Sequence, residues 1–188
     1  MDVFLVPLVA GFAIDAASAF TAAFSRRWGE RRGRLATFVL RNLIGIPLWV
    51  LGLVLAVGSR SQQLFEPALI TAVLGWLLMG GGSVIQVLAL LALRSRAAMP
   101  STHDPLVEHG PYARIRHPIY AAALLEFTGI VLLRPTRAVA VACAIGVAWA
   151  LLQARCEEAD LCQRLPAYRA YMRRVPRFLP RARARWTE

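Results

Sequence analysis

The chain has 188 residues, of which 57% are hydrophobic, and its formal net charge is +11. Soluble domains are about 45–50% apolar, so this composition argues against an ordinary soluble domain and favours one membrane-embedded domain over residues 1–188. All 22 basic residues are arginines, which excludes lysine chemistry such as Schiff-base formation.

Hydrophobic runs predict about five transmembrane helices, since roughly 20 apolar residues are needed to cross a bilayer. The runs cover residues 3–24, 39–58, 68–93, 119–133 and 138–153. We therefore expect an all-α polytopic bundle with three transmembrane helices in residues 1–93. Residues 94–180 then form a core in which a cytosolic polar segment and a C-terminal helix close the site.

Three features interrupt the first three runs. Asp15 lies within the first run, and an acid at that depth usually faces the interior of the bundle. Pro47 predicts a kink in the second run. The glycines at positions 80–82 favour close helix contact in the third.

The arginines are distributed unevenly between the two predicted sides of the membrane. Nineteen of them lie in residues 25–41, in residues 94–118 and from Arg155 onward. Only Arg60, Arg134 and Arg137 lie in the other connections. Because arginine-rich segments stay in the cytoplasm, we expect a cytoplasmic C-terminus and an external N-terminus, in a prokaryotic inner membrane.

Residues 106–120 combine polar and aromatic side chains between two hydrophobic runs. Gly110-Pro111 predicts a turn, and His117-Pro118 predicts a helix start, because proline fits the first turn of a helix. Tyrosine and arginine at a membrane boundary can also be plain headgroup anchors. Anchoring does not account for His117 beside Pro118 at the mouth of a helix, so we interpret the segment as a binding site.

A second polar cluster, at residues 155–158, follows the fifth hydrophobic run. Arg155 and Glu158 are three residues apart and share a helix face. An ion pair at a helix end would explain them alone, but the fourth and fifth helices return this cluster to the side of residues 106–120. One of Glu157 and Glu158 then faces the site and the other faces solvent.

The cysteines and histidines predict neither a disulfide framework nor a metal site. Cys143 lies in an apolar run, and Cys156 and Cys162 are six residues apart, which is not a metal-binding spacing. The three histidines are scattered and lack a carboxylate cluster.

These motifs together resemble the isoprenylcysteine carboxyl methyltransferase family, integral-membrane enzymes related to the phospholipid methyltransferases. The resemblance covers about residues 100–180. It rests on Leu106-Val107, Gly110-Pro111-Tyr112, Arg116-His117-Pro118, Tyr120, the Arg155/Glu157-Glu158 helix, Tyr168, Tyr171, Val175 and Pro180.

The resemblance implies S-adenosyl-L-methionine as the methyl donor and a site at the cytosolic membrane face. The acceptor would be lipidic or amphiphilic, such as the carboxylate of an isoprenylcysteine-like substrate. The catalytic residues would be Arg155, near the acceptor, with Glu157 and Glu158. The implied cofactor-binding residues are His103, Asp104, Leu106, Val107, Tyr112, His117, Pro118, Tyr120 and Glu158.

Two other functions are compatible with the sequence. A membrane lipid reductase using NADPH could hold a 2′-phosphate with Arg114 and Arg116. A non-catalytic adaptor could bind anionic lipid through the tail arginines, which are Arg173, Arg174, Arg177, Arg181, Arg183 and Arg185. A nucleic-acid partner is not expected, because the arginines lie at membrane boundaries and no recognition motif accompanies them.

Overall fold

The computed structural model describes residues 2–180, and this part of the chain is helical without a β-strand. Its α-helices are α1 (Leu5–Ser18), α2 (Thr21–Trp28), α3 (Glu30–Phe38), α4 (Ile46–Gly58), α5 (Leu69–Leu93), α6 (Pro118–Leu133), α7 (Arg137–Arg164) and α8 (Tyr168–Arg174). A π-helical turn, Val39–Gly45, joins α3 to α4. The all-α fold class is confirmed for the described residues.

Three helices of residues 2–180 are long and apolar enough to cross a membrane. They are Glu30–Gly58, Leu69–Ala97 and Arg137–Arg164. A fourth span results if α1 and α2, bent by 63°, count as one. The fourth predicted run, residues 119–133, corresponds to α6, which has only 16 residues and is shorter than the spans above, so the count of five is not confirmed. Outward side chains on α5, such as Trp76 and Leu77, are about two-thirds exposed, as expected of a lipid-facing surface.

The N-terminal helices pack so closely that side chains are excluded from part of their contact. A Cβ atom on Gly52 of α4 would lie 2.5 Å from the backbone nitrogen of Leu8 in α1. Pro47, at which we predict a kink, directly follows the π-helical turn. Since proline cannot donate a backbone hydrogen bond, the widened turn lies where regular α-helical bonding is interrupted.

The arginine-rich connections between helices gather at one end of the bundle, and the arginine-poor connections gather at the other. At the arginine-poor end, the backbone nitrogen of Leu64 donates to Pro135 O at 2.8 Å, and that of Arg137 donates to Gln62 O at 2.8 Å. At the arginine-rich end, the backbone nitrogen of Ala22 donates to Asp160 at 2.8 Å. The grouping of connections predicted from the arginine distribution is therefore present in the fold.

Candidate functional site

A cavity of about 570 Å³ opens between α4 on one side and α5 to α7 on the other. Its volume lies within the roughly 300–1,000 Å³ of small-molecule sites. Charged residues line the end near the arginine-rich segments, among them Asp15, Arg41 and Glu157. Farther into the bundle the lining is mainly apolar, and includes Leu53 and Ile130. The cavity therefore has the form of an amphiphile site.

Glu157 is the acid of the pair that faces the cavity. The Tyr120 hydroxyl donates to its Oε1 at 2.5 Å, and Arg41 Nη2 donates to the same oxygen at 3.1 Å. The His117 Nδ1 atom lies 4.0 Å from Oε2. The Glu157 side chain keeps 23% of its surface exposed, so a ligand in the cavity can reach a carboxylate whose orientation is already fixed.

Glu158 is instead enclosed by cations. Its carboxylate accepts from Arg116 Nη2 at 2.8 Å, from Arg177 Nη2 at 2.5 Å and pairs with His117 Nε2 at 3.1 Å. Only 6% of its side chain is exposed, and it is absent from the cavity lining. Since Arg116 Nη1 also donates to Val175 O at 2.6 Å, this cluster fixes the C-terminal segment to residues 116–117.

Sequence reasoning missed Arg41, which we assigned to a basic loop. The structure places it on the π-helical turn, where its Nε lies 3.7 Å from Asp15 Oδ1 and donates to the Ser18 hydroxyl at 3.2 Å. Asp15 is 4% exposed, as expected of an acid that faces the bundle interior. The sequence contains a signal for this ion pair. A buried acid such as Asp15 requires a cation or a donor, and Arg41 is the first arginine of the next hydrophobic run.

An aromatic cluster contributes Trp49, Tyr120 and Trp149 to the cavity wall, with Phe12 packed behind them. Phe12 stacks on Trp149 with centroids 4.8 Å apart and on Trp49 at 5.4 Å. Tyr120 meets Trp149 edge-on at 5.6 Å. Such rings provide flat apolar surface and can stabilise a nearby cation.

The connecting loop, residues 98–109, covers the charged end and is held by the N-terminal helices. Glu30 accepts from the hydroxyls of Ser101 at 2.5 Å and Thr102 at 2.6 Å. Asn42 Nδ2 donates to Ala98 O at 3.1 Å, and Arg164 Nη1 donates to Ser101 O at 2.7 Å. The loop is thereby fixed on both sides of the cavity mouth.

Three tyrosines complete the wall beside this loop. The Tyr171 hydroxyl donates to Tyr112 O at 2.6 Å, and burial raises the pKa of Tyr171 to about 12. Burial also raises the pKa of Tyr168 well above its usual value. Its hydroxyl is buried without a partner in residues 2–180, although the residue lines the cavity. Tyr168 thus presents a protonated donor to the interior.

The structure brings most of the predicted site residues together, but not all. The cavity lining includes Asp104, Leu106, Val107, Tyr112, His117, Tyr120 and Glu157. Pro118 and Glu158 are buried behind this lining. His103 and Arg155 are exposed and do not line the cavity, because the face of α7 that carries Ala154 and Glu158 turns Arg155 outward.

Within residues 2–180, the cysteines are free and no group of three or more His, Cys, Asp and Glu side chains could hold a metal ion.

Residues 70–165 match the sequence profile of the phospholipid methyltransferase family. The chain belongs to this family. The match confirms the resemblance to membrane methyltransferases found in the sequence, and it covers α6, α7 and all of α5 but its first residue. Together with the apolar helices, membership of this family identifies a multi-pass membrane protein related to methyltransferases.

A curated relative is the cobalt-zinc-cadmium resistance protein CzcN of Cupriavidus metallidurans, which is 35% identical over 82 residues. The aligned part covers 42% of this chain and 37% of the relative. The chain therefore aligns with little more than a third of the length of that relative. No solved structure matches the chain significantly.

Proposed function

We propose that this chain transfers a methyl group from S-adenosylmethionine to the polar head of an amphiphilic acceptor at the cytosolic membrane face. The observation that supports the proposal is one cavity that has a charged end and an apolar end. An oriented carboxylate and aromatic rings occupy its charged end, and an apolar passage between α4 and α5 continues from it. Family membership supplies the reaction class.

The described residues fit S-adenosylmethionine. The buried Tyr168 hydroxyl is a donor without a protein partner, and the Glu157 carboxylate can accept from ribose hydroxyls or from the methionine ammonium group. Tyr120 and Trp149 offer aromatic surface to a sulfonium. We assign the cofactor contacts to the cavity-lining members of the predicted set, with Tyr168 added.

When bound, S-adenosylmethionine supplies an electrophilic methyl group on a sulfonium. In-line displacement depends on alignment of donor and acceptor more than on acid–base chemistry, so the chain's contribution is mainly positional. Tyr120 and Arg41 hold Glu157 in place, and the Glu158 cluster holds His117. The connecting loop limits the access of water to the charged end.

We favour a carboxylate acceptor, such as that of an isoprenylcysteine-like substrate. A carboxylate is already nucleophilic and needs no base. Arg41 lies on the cavity wall, and its guanidinium would orient the carboxylate, in the role that the family resemblance gave to Arg155, by exchanging its long contact with Ala97 O (3.4 Å) for the ligand. An amine acceptor would instead require loss of a proton, which Glu157, on the cavity wall and hydrogen-bonded to Tyr120, would accept.

The reductase alternative has less support from the site. Arg114 is exposed, and Arg116 is engaged with Glu158 and with the C-terminal backbone. A basic pocket for a 2′-phosphate would need both. For the adaptor alternative, Arg181, Arg183 and Arg185 lie outside the described residues.

Calorimetry on the detergent-purified chain tests the proposal, with S-adenosylmethionine, S-adenosylhomocysteine and NADPH as ligands. We expect saturable binding of both sulfur nucleosides, lost in His117→Ala and retained in His109→Ala. His109 is exposed and outside the cavity, so it is the matched control. Folded protein that binds NADPH and neither sulfur nucleoside would contradict the proposal.

A further inference from the structure

A second polar position lies inside the apolar part of the cavity. Glu126 is on α6, six residues beyond Tyr120, which places it about 9 Å deeper along the helix. It lines the cavity close to Phe127 and Ile130. An ionisable side chain at such depth is costly and most often serves a ligand or a transport path.

The neighbouring helix makes room for this carboxylate. A Cβ atom on Gly82 of α5 would lie 2.8 Å from Glu126 Cγ, so only glycine allows the side chain to lie there. The adjacent Ser83 hydroxyl donates to Glu126 Oε1 at 3.0 Å. Oε2 takes no part in the hydrogen bonds within residues 2–180, so one acceptor atom remains available to a ligand.

Gln86 adds a complementary group on the same wall. It lies four residues after Gly82, on the same face of α5 and about 6 Å nearer the charged end. Both Gln86 and Glu126 line the cavity, and the small Ala123 lies on the wall as well. A carboxylate that accepts and a carboxamide that donates together match a hydroxyl group, which does both.

We propose that Glu126 and Gln86 bind a hydroxyl group on the apolar tail of the methyl acceptor, about 9 Å from the group that is methylated. This inference rests on the proposed function and narrows its substrate class to hydroxylated amphiphiles. An anionic group at the same depth is disfavoured, because it would face the Glu126 carboxylate.

The competing explanation is structural. Polar side chains between membrane helices often form interhelical hydrogen bonds, and the Ser83–Glu126 pair could serve only to join α5 and α6. Ser83 does not line the cavity. Ser83→Ala therefore removes the joint without removing the proposed ligand contact, which makes it the matched control.

The experiment compares three N-acetyl-S-alkylcysteine acceptors of equal chain length with the full chain in nanodiscs. One has a plain alkyl chain, one a hydroxyl about 9 Å from the carboxylate, and one a hydroxyl at the chain end. Methyl transfer is measured with tritiated S-adenosylmethionine. We expect kcat/KM to be about 10-fold higher for the mid-chain hydroxyl than for the plain chain.

The preference should disappear in Glu126→Leu, persist in part in Glu126→Gln and remain in Ser83→Ala. Turnover of the plain acceptor should be nearly unchanged in Ser83→Ala. Equal turnover of plain and mid-chain acceptors by the wild type would overturn the inference while leaving methyl transfer intact. Loss of the preference in Ser83→Ala, to the extent seen in Glu126→Leu, would also overturn it in favour of the interhelical joint.

If none of the three is methylated, the carboxylate proposal is wrong, and binding decides the inference separately. Trp49 and Trp149 line the cavity, so the fluorescence change on titration reports occupancy without turnover. Tighter binding of the mid-chain hydroxyl by the wild type, lost in Glu126→Leu, would support the hydroxyl site. Equal affinity for all three would reject it.

Discussion

The two sides of the cavity differ in their relation to known proteins. Most of α5 to α7 lies in the range that matches the family, whereas α1 to α4 precede it. The matched side supplies His117, Tyr120 and Glu157, and the unmatched side supplies Asp15 and Arg41. Arg41 pairs with Asp15 on its own side and with Glu157 on the matched side. The range that matches the family therefore includes Glu157 and leaves out the cation that balances its charge.

Arg41→Ala challenges this comparison most strongly. It leaves the buried Asp15 and the half-buried Glu157 without their shared cation, which should lower the free energy of unfolding by about 3–5 kcal/mol. Thermal unfolding in detergent measures the loss, and Arg41→Lys, which keeps the charge, should recover part of it. Wild-type stability in Arg41→Ala would show that the N-terminal helices contribute packing alone.

Glu157→Gln tests the matched side. Loss of the charge from an oriented carboxylate should weaken its ligand contacts by about 2 kcal/mol, a roughly 30-fold loss of kcat/KM. Initial rates of methyl transfer from labelled S-adenosylmethionine measure this loss of kcat/KM. The control is Glu66→Gln, since Glu66 is exposed in the loop at the opposite end. Unchanged rates in Glu157→Gln would remove this residue from the site.

Glu30→Gln tests how the N-terminal helices hold the connecting loop over the cavity. Glu30 lies on α3, which precedes the range that matches the family. Weaker bonds to Ser101 and Thr102 should cost about 1.4 kcal/mol and make S-adenosylmethionine dissociate about tenfold faster. Stopped-flow displacement measures this rate. Glu108→Gln on the same loop is the control, because its ion pair with Arg174 is exposed and worth little. Equal rates in both variants would contradict the anchoring role.

Tyr171→Phe should have the smallest effect. It removes the hydrogen bond to Tyr112 O, for a loss of about 1 kcal/mol of stability. The folded pKa of about 12 lies above the unfolded value of about 10. The contribution is therefore present below about pH 10 and disappears as the pH rises towards 12. The unfolding midpoints of wild type and variant should converge over that interval, and a constant gap would contradict this.

The sequence predicted α4 to α7 well because apolar runs and proline or glycine breaks determine them locally. The predicted first helix is instead bent by 63° between α1 and α2, and residues 25–41, which were expected to form a loop, are largely helical. The hairpin of α6 and α7 followed from the short connection at Arg134 and Pro135, and it predicted that one of Glu157 and Glu158 faces residues 106–120. In the structure Glu157 contacts Tyr120 and Glu158 contacts His117, so the expectation that one of the two acids faces solvent was wrong. These contacts join segments that the hydrophobic pattern alone brings to the same end of the bundle.

The partners of the two glutamates could not be predicted in the same way. Arg155 is the obvious partner of Glu158 by helix spacing, yet the cations come from Arg116 and Arg177, 42 and 19 residues away. The π-helical turn also changes the angular position of Arg41, so regular helical spacing does not place it. The roles of His103 and Arg155 in cofactor and acceptor binding stay predictions, and the exposed positions of both side chains do not favour them.

The cluster around Glu158 sets an order for biosynthesis. The helices α5 to α7 precede Arg177 in the chain, and Arg177 supplies one of the guanidinium groups on Glu158. Until that residue leaves the ribosome, the carboxylate lacks part of its neutralisation and residues 116–117 lack their backbone contacts with 176–177. The newly inserted bundle thus acquires its finished polar end only after its transmembrane part is in place, which delays competence until synthesis has passed the last helix.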